Sequence, residues 1–188
     1  MHVEEFTNNY KKKLINEIEK INFKVIEDVI IELNRVSSEG GLVYLIGNGG
    51  SAATASHIVN DFGAGLRRRS LLNLNISSLS DNSSTITALS NDIGYENIYS
   101  SQLNGILNKG DILIAISCSG NSQNIVKAVK YAKKVGAKVI GLTGFDGGEL
   151  KSISDISYHI ETKQGEYGIV EDLHMIFDHL IYSYYTNN

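Results

Sequence analysis

Residues 42–53 read LVYLIGNGGSAA, and the pattern of these twelve residues indicates the class of fold. Its first part, 42–46, is a short and continuous apolar run, which is typical of a strand buried on both faces of a parallel sheet. Glycines at 47, 49 and 50 end the strand, and a helix is predicted over 51–64. A strand, a glycine-rich loop and a helix in this order predict the first part of a βαβ unit.

The same alternation continues along the chain. Further strands are predicted over 72–79, 111–116, 137–142 and 153–160. Further helices are predicted over 83–91, 95–107, 122–135 and 167–184. Upstream, apolar residues at mostly helical spacing predict one long helix over 2–36, which the segment 37–41 ends. Alternating strands and helices imply right-handed crossovers and a mostly parallel sheet covered on both faces.

Composition excludes several classes of protein. The chain has 188 residues, 42% of them apolar, which suits a single globular domain. Its net charge of −4 argues against a general nucleic-acid binder. A single cysteine, Cys118, excludes an intramolecular disulfide and a four-cysteine zinc site. No apolar stretch is long enough for a membrane span, and the first residues lack the apolar core of a signal peptide, so a cytoplasmic protein is expected.

Two loops of small polar residues follow predicted strands and lead into helices. The first is GNGGSAA at 47–53 and the second is SCSGNS at 117–122. Because ligands of parallel α/β folds bind at the carboxyl ends of strands, both loops are placed at the ligand edge of the sheet. Exposed backbone N–H groups, serine hydroxyls and the positive end of a helix bind anions, so the two loops together predict a phosphate site.

A dinucleotide site is the competing interpretation of the first loop. Gly47, Gly49 and Ala52 have the spacing G-x-G-x-x-A. That motif requires an acidic residue about 20 positions further on. The first one is Asp81, which is 34 residues after Gly47. The phosphate-binding lysine motif of nucleotide hydrolases is also absent, so nucleotide binding is disfavoured.

Histidines and carboxylates occur on two predicted helices. His57 and Asp61 are four residues apart and share a helix face, where a surface ion pair is the simplest interpretation. The last helix carries several further candidates: Glu171, Asp172, His174, Asp178 and His179. Two histidines and two carboxylates from two helices would suit Zn²⁺ or a similar divalent ion. Helical geometry alone does not choose the ligands on the last helix.

Several motifs taken together resemble the sugar isomerase (SIS) domain, and more narrowly its phosphoheptose isomerase subfamily. They are GNGGSAA at 47–53, His57, ND-x-GYE at 91–96, S-x-SGNS at 117–122 and LTG-x-x-GG at 142–148. The match extends from about residue 3 to residue 184. The resemblance implies an α/β fold with a five-stranded parallel sheet sandwiched by helices, similar to flavodoxin. It also implies a single SIS domain over 1–188, with a helical extension at 1–36 and an α/β core at 37–188.

The resemblance implies further features of assembly and site. It implies a homotetramer with active sites between subunits, in which the long N-terminal helix contributes to oligomerisation. The implied phosphate and sugar residues are Asn48, Gly49, Gly50, Ser51, Asn91, Asp92, Ser117, Cys118, Ser119, Ser122 and Glu171. The implied ligands of one Zn²⁺ or another divalent ion per subunit are His57, Asp61, Glu171 and His179. Asp61 stands where the family usually has Glu, and Glu171 where it has Gln, and both remain oxygen donors.

The implied activity is isomerisation of sedoheptulose 7-phosphate to D-glycero-D-manno-heptose 7-phosphate through an enediolate. Asp61 and His179 are the expected acid–base pair. The product would enter nucleotide-activated heptose synthesis for lipopolysaccharide or capsule, with no nucleic acid or membrane as partner. One alternative is an isomerase of another phosphosugar. Another is a non-catalytic SIS protein that binds a partner, and such proteins are expected to lose the metal-binding and acid–base residues, which this chain retains as polar groups.

Overall fold

All five strands of the sheet run parallel, and the order of the strands across the sheet, numbered along the chain, is 2-1-3-4-5. The computed structural model describes residues 2–187. The strands are β1 (Leu42–Gly47), β2 (Asn75–Ser78), β3 (Ile112–Ser117), β4 (Lys138–Phe145) and β5 (Ile156–Glu161). This arrangement confirms the expected five-stranded parallel sheet. Because the chain moves from β1 to one edge and then back past β1 to β3, the order reverses between these two neighbours, where α/β folds place their ligands.

Helices cover both faces of the sheet. Within residues 2–187 they are α1 (Val3–Glu19), α2 (Phe23–Glu39), α3 (Gly50–Ile58), α4 (Ser83–Ile93), α5 (Ile98–Leu103), α6 (Gln123–Val135), α7 (Gly148–Ile153) and α8 (Tyr167–Asn187). A π-helical turn, Val59–Gly65, follows α3, and a short 3₁₀ turn, Tyr95–Asn97, precedes α5. None of the described helices combines the length and the apolar composition that a membrane span needs.

Two apolar layers hold the sheet between its helices. Successive residues of β3 alternate between them: Ile112 and Ile114 contact the layer beneath α2, α3 and α8, whereas Leu113 and Ala115 contact the layer beneath α5 and α6. All four of these side chains are completely buried. A strand that contributes to both layers must be apolar at every position, which explains the continuous apolar runs in the sequence.

The N-terminal segment differs from the prediction of one helix over 2–36. It forms two helices, because the Asn22 side chain accepts a hydrogen bond from the Lys24 backbone N–H and caps the start of α2. Helix α2 buries Val29 and Leu33 in the core, whereas α1 has no buried residue. Helix α1 contacts α8 through the Tyr10 hydroxyl, which donates to the Asp172 carboxylate at 2.6 Å.

Other boundaries move by a few residues. The predicted helix over 51–64 divides into α3 and the π-helical turn, and the predicted strand over 72–79 shortens to β2 at the sheet edge. The predicted helix over 95–107 shortens to the 3₁₀ turn and α5, and α7 was not predicted. These differences leave the order of the strands and of their loops as expected.

Candidate functional site

The two polar loops meet because β1 and β3 are neighbours. Between them lies a pocket of about 170 Å³, which we call the serine pocket. It is lined by Asn48, Ser51, Ile116, Ser117, Cys118, Ser119, Ser122, Tyr167 and Glu171. The structure therefore brings together most of the residues expected to hold a sugar phosphate. Tyr167, at the start of α8, was not among the expected site residues.

Glycines allow the first loop to turn tightly into α3. A Cβ at Gly47 would lie 2.5 Å from the Ser51 carbonyl oxygen, so only glycine permits this approach of strand and helix. Gly49 has a φ of 53° and precedes the first turn of α3. This geometry directs the N-terminus of α3 to the pocket that Ser51 lines.

The second loop is held by the end of β4 and by α7, on either side of the turn that follows β4. The Leu150 N–H donates to the Gly120 carbonyl at 2.9 Å, and the Gly144 N–H donates to the Cys118 carbonyl at 2.9 Å. Gly120 has a φ of 63°, and a Cβ there would collide with the Gly147 carbonyl oxygen. A Cβ at Gly148 would likewise collide with the Ser119 carbonyl oxygen, so glycine on both sides of the contact allows this turn to pack closely on the second loop.

The serine pocket has the chemistry of an anion site. Ser122 is the N-cap of α6, and its hydroxyl lies 3.4 Å from that of Ser117. Ser51 is in the first turn of α3, so two helix N-termini contribute to the pocket walls. Helix N-termini offer unpaired N–H groups and a partial positive charge, and hydroxyls add further donors. Such a pocket can bind a phosphate group.

Cys118 lies in the pocket wall with Glu171. Burial, with a smaller contribution from the negative charge of Glu171, raises the pKa of the Cys118 thiol to about 11. The thiol is therefore protonated near neutral pH and unsuited to nucleophilic catalysis.

The other expected sugar-site residues lie outside the pocket lining. Gly49 and Gly50 are exposed in the first loop, and a Cβ on Gly50 would meet the Glu171 carboxylate. Asn91 and Asp92 are exposed near the end of α4, where the Asn91 amide donates to the Asp92 carboxylate at 3.0 Å. Within a single chain, the structure does not bring these last two residues into the pocket.

A second group of polar side chains lies further along α3 and α8. His57 Nε2 is 3.3 Å from His179 Nε2, 3.6 Å from Asp61 Oδ2 and 3.5 Å from Asp178 Oδ2. One donor atom from each of these four residues lies within 4.8 Å of all the others. We call this group the His/Asp cluster. His57 comes from α3, Asp61 from the π-helical turn, and Asp178 and His179 from α8.

Asp178 is the unusual member of the His/Asp cluster. Its side chain is 0% exposed, and neither carboxylate oxygen has a hydrogen-bond partner among the described residues. Burial, together with the nearby charge of Asp61, raises the pKa of Asp178 to about 7. Such a buried carboxylate with no donor is neutralised either by a proton, as the raised pKa indicates, or by a bound divalent cation that would let it stay ionised.

The residues present fit a divalent metal ion. Two imidazoles and two carboxylates form a set of nitrogen and oxygen donors that suits Zn²⁺ or a similar ion. The set differs in one member from the one that the resemblance implies. Glu171 lies in the serine pocket and is outside the cluster, and Asp178 is inside it. The sequence contains Asp178 among the candidates on α8, but only the packing of α3 against α8 selects it.

The serine pocket and the His/Asp cluster are connected by two parallel helices. Gly50 at the start of α3 lies beside Glu171 on α8, and His57 at the end of α3 lies beside His179. These pairs are seven and eight residues apart along their helices, so the two sites are separated by about 10–12 Å at 1.5 Å per residue.

Comparisons with known proteins agree with this geometry. The sequence profile described as "SIS domain" matches residues 5–144. A phosphoheptose isomerase from Nitratiruptor sp. is 34% identical over 182 residues, covering 97% of this chain and 95% of the relative. One from Fusobacterium nucleatum is 38% identical over 172 residues, covering 90% and 84%.

Solved structures give the same result. The phosphoheptose isomerases from Neisseria gonorrhoeae and Francisella tularensis superpose over 100% of both chains, with TM-scores of 0.86 and 0.87 and 26% identity in each case. The profile covers well over half of this chain, and relatives above 30% identity extend over most of it. The chain belongs to the SIS-domain family and, within it, to the phosphoheptose isomerases.

Proposed function

We propose that this protein is an aldose–ketose isomerase that converts sedoheptulose 7-phosphate to D-glycero-D-manno-heptose 7-phosphate. The observation that carries the proposal is the pairing of an anion pocket with an acid–base and metal-competent cluster on the same two helices. The family relationship supports the same activity.

The spacing of the two sites supports a long sugar phosphate as substrate. In an open-chain heptulose 7-phosphate, eight bonds separate C1 from phosphorus, and at about 1.2 Å of advance per bond they span about 10 Å. This length is close to the 10–12 Å between the serine pocket and the His/Asp cluster, given the helical rise. A phosphate bound by Ser51, Ser117, Ser119 and Ser122 would place C1 and C2 near the cluster.

The reaction moves a proton between C1 and C2 through an enediolate and needs an acid–base pair. The exposed fraction of each side chain indicates which members of the His/Asp cluster can reach the substrate. The Asp178 carboxylate is 0% exposed and unable to touch substrate, whereas the side chains of Asp61 and His179 are 15% and 55% exposed. We therefore propose that Asp61 and His179 hold and transfer the protons.

We propose one Zn²⁺ or another divalent ion per subunit, held by one ring nitrogen each of His57 and His179 with carboxylates of the cluster, which leaves the second ring nitrogen of His179 for proton transfer. When bound, such an ion would polarise the substrate oxygens that gain negative charge. Because Asp178 supplies a buried carboxylate to the same cluster, Asp61 need not be both the principal ligand and the base. Glu171, which lines the serine pocket, is assigned to the sugar.

The remaining assignments are also proposals. We propose a homotetramer with active sites between subunits, since α1 has no buried residue and exposes Val3, Phe6 and Ile15. A neighbouring subunit would then cover Asn91 and Asp92. The chain is taken as one SIS domain with a helical extension at 1–36, acting in the cytoplasm in heptose synthesis for lipopolysaccharide or capsule.

The test is turnover of sedoheptulose 7-phosphate by the purified protein, before chelation, after chelation and after adding back Zn²⁺. Loss of turnover on chelation and recovery with Zn²⁺ would support both the activity and the metal. Turnover that chelation does not change would exclude an essential metal ion. His179→Ala is expected to abolish turnover, whereas the control His159→Ala, on β5 at the far edge of the sheet, should retain it.

A panel of five-, six- and seven-carbon ketose phosphates completes the experiment. Preference for a shorter sugar would favour an isomerase of another phosphosugar. If no sugar phosphate of the panel is turned over with any divalent ion, the result would contradict an isomerase activity and favour the non-catalytic, partner-binding alternative.

A further inference from the structure

Two side-chain amides pair between the first loop and α6. Asn48 Nδ2 donates to Asn124 Oδ1 at 3.0 Å, and Asn124 Nδ2 donates back to Asn48 Oδ1 at 2.8 Å. Asn48 lines the serine pocket, whereas Asn124 is buried, with 2% of its surface exposed. Asn124 therefore contacts the pocket through Asn48.

The backbone determines how this pair is oriented. A carboxamide rotated by 180° exchanges its donor and its acceptor, so an amide pair alone does not define which group faces which. The Ile125 N–H, which also donates to the Ser122 carbonyl, lies 3.0 Å from Asn124 Oδ1. Because a backbone N–H only donates, Asn124 must keep its oxygen there and direct its Nδ2 to Asn48.

The orientation of Asn48 follows from that of Asn124. Asn48 must offer its oxygen to Asn124 Nδ2, and the Tyr95 hydroxyl donates to the same oxygen at 2.8 Å. The amide nitrogen of Asn48 carries two hydrogens, and one of them is used by Asn124 Oδ1. The second hydrogen has no acceptor among residues 2–187.

We propose that Asn124 is a positioning residue for the isomerase reaction, fixing Asn48 so that it presents an N–H donor to the substrate. This inference rests on the proposed function. The substrate atom that meets Asn48 is then a carbonyl or hydroxyl oxygen that accepts a hydrogen bond. A rotated Asn48 would present its own carbonyl oxygen, which cannot donate to that substrate atom and would repel a substrate carbonyl oxygen.

The test is a double-mutant cycle on kcat/KM for sedoheptulose 7-phosphate. Asn124→Asp has nearly the same shape and still accepts from the Ile125 N–H, but it has no N–H for Asn48 Oδ1. It is expected to lower kcat/KM about tenfold, the loss that corresponds to one hydrogen bond. Asn48→Ala removes the donor itself and is expected to lower kcat/KM at least as much.

The decisive measurement is the coupling between the substitutions at Asn124 and Asn48. If Asn124 acts through Asn48, the double variant should match Asn48→Ala within about twofold, because sites in one network are not additive. Ala128→Gly is the stability control, since it loosens the buried side of α6 without touching Asn48. It should lower the melting temperature but leave kcat/KM unchanged.

Three results would overturn the inference alone, in a parent protein that is active. The first is a double variant whose kcat/KM falls by the product of the two single-variant factors. The second is an Asn124→Asp protein with the parental kcat/KM. The third is a fall in kcat/KM in Ala128→Gly equal to that in Asn124→Asp. A parent protein without turnover would overturn the proposed function, and this inference with it.

Discussion

His174 should make the protein lose stability on acidification. It lies on α8, is 1% exposed, and reaches the Thr143 carbonyl of β4 through Nε2 at 3.4 Å. Its Nδ1 has no hydrogen-bond partner among the described residues. Burial lowers the pKa of His174 to about 4, with a smaller contribution from the charge of His159. The ring therefore stays neutral in the folded protein.

The sign and size of the effect follow from proton binding. In the unfolded chain a histidine has a pKa of about 6.5, so between pH 6.5 and 4 the unfolded state takes up a proton that the folded state excludes. The contribution of neutral His174 to the free energy of unfolding is therefore fully present above pH 6.5 and is lost as the pH falls toward 4. At 1.4 kcal/mol per pKa unit, the loss at His174 is about 2 kcal/mol between pH 7.5 and pH 5.

The assay is urea unfolding at pH 5, 6 and 7.5 in the presence of a chelator. His174→Leu removes the titrating ring. Between pH 7.5 and pH 5, the free energy of unfolding of this variant should therefore fall by about 2 kcal/mol less than that of the parent protein. Other titrating groups, including Asp178, are present in both proteins and cancel in the difference. His2→Leu, at an exposed position, is the control and should keep the parental slope. Equal slopes in the parent and His174→Leu would refute the reasoning.

Three further predictions concern the pocket and the cluster. With a thiol pKa of about 11, Cys118 should react with iodoacetamide at pH 8 at least about 100-fold more slowly in the folded protein than in urea, and equal rates would contradict its burial. Gly120→Ala should cost roughly 2–4 kcal/mol in urea unfolding, because its Cβ collides with the Gly147 carbonyl. Gly40→Ala, also at positive φ but in open space, should cost only about 1 kcal/mol, and similar losses for the two would exclude the collision as the cause. Asp178→Asn should weaken Zn²⁺ binding by about tenfold to a hundredfold in competition with a chromogenic chelator, and an unchanged affinity would exclude Asp178 as a ligand.

Much of the fold is visible in the sequence because its signals are local. Residues 112–116 must be apolar on both faces of the sheet, and that requirement appears as an uninterrupted apolar run. The loops at 47–53 and 117–122 end such runs, and parallel strands place their carboxyl ends at one edge. For these reasons both the parallel sheet and the meeting of the two loops at its edge can be predicted from the sequence.

Other features are not visible in the apolar pattern of the sequence. The break between α1 and α2 depends on the Asn22 cap, which a continuous helical pattern conceals. The choice of Asp178 for the His/Asp cluster depends on α3 lying parallel to α8, more than 100 residues away in the chain. Spacing along one helix gives only the direction of each side chain. Which side chains converge, and which carboxylate is buried without a partner, is decided by packing, and so by the tertiary structure alone.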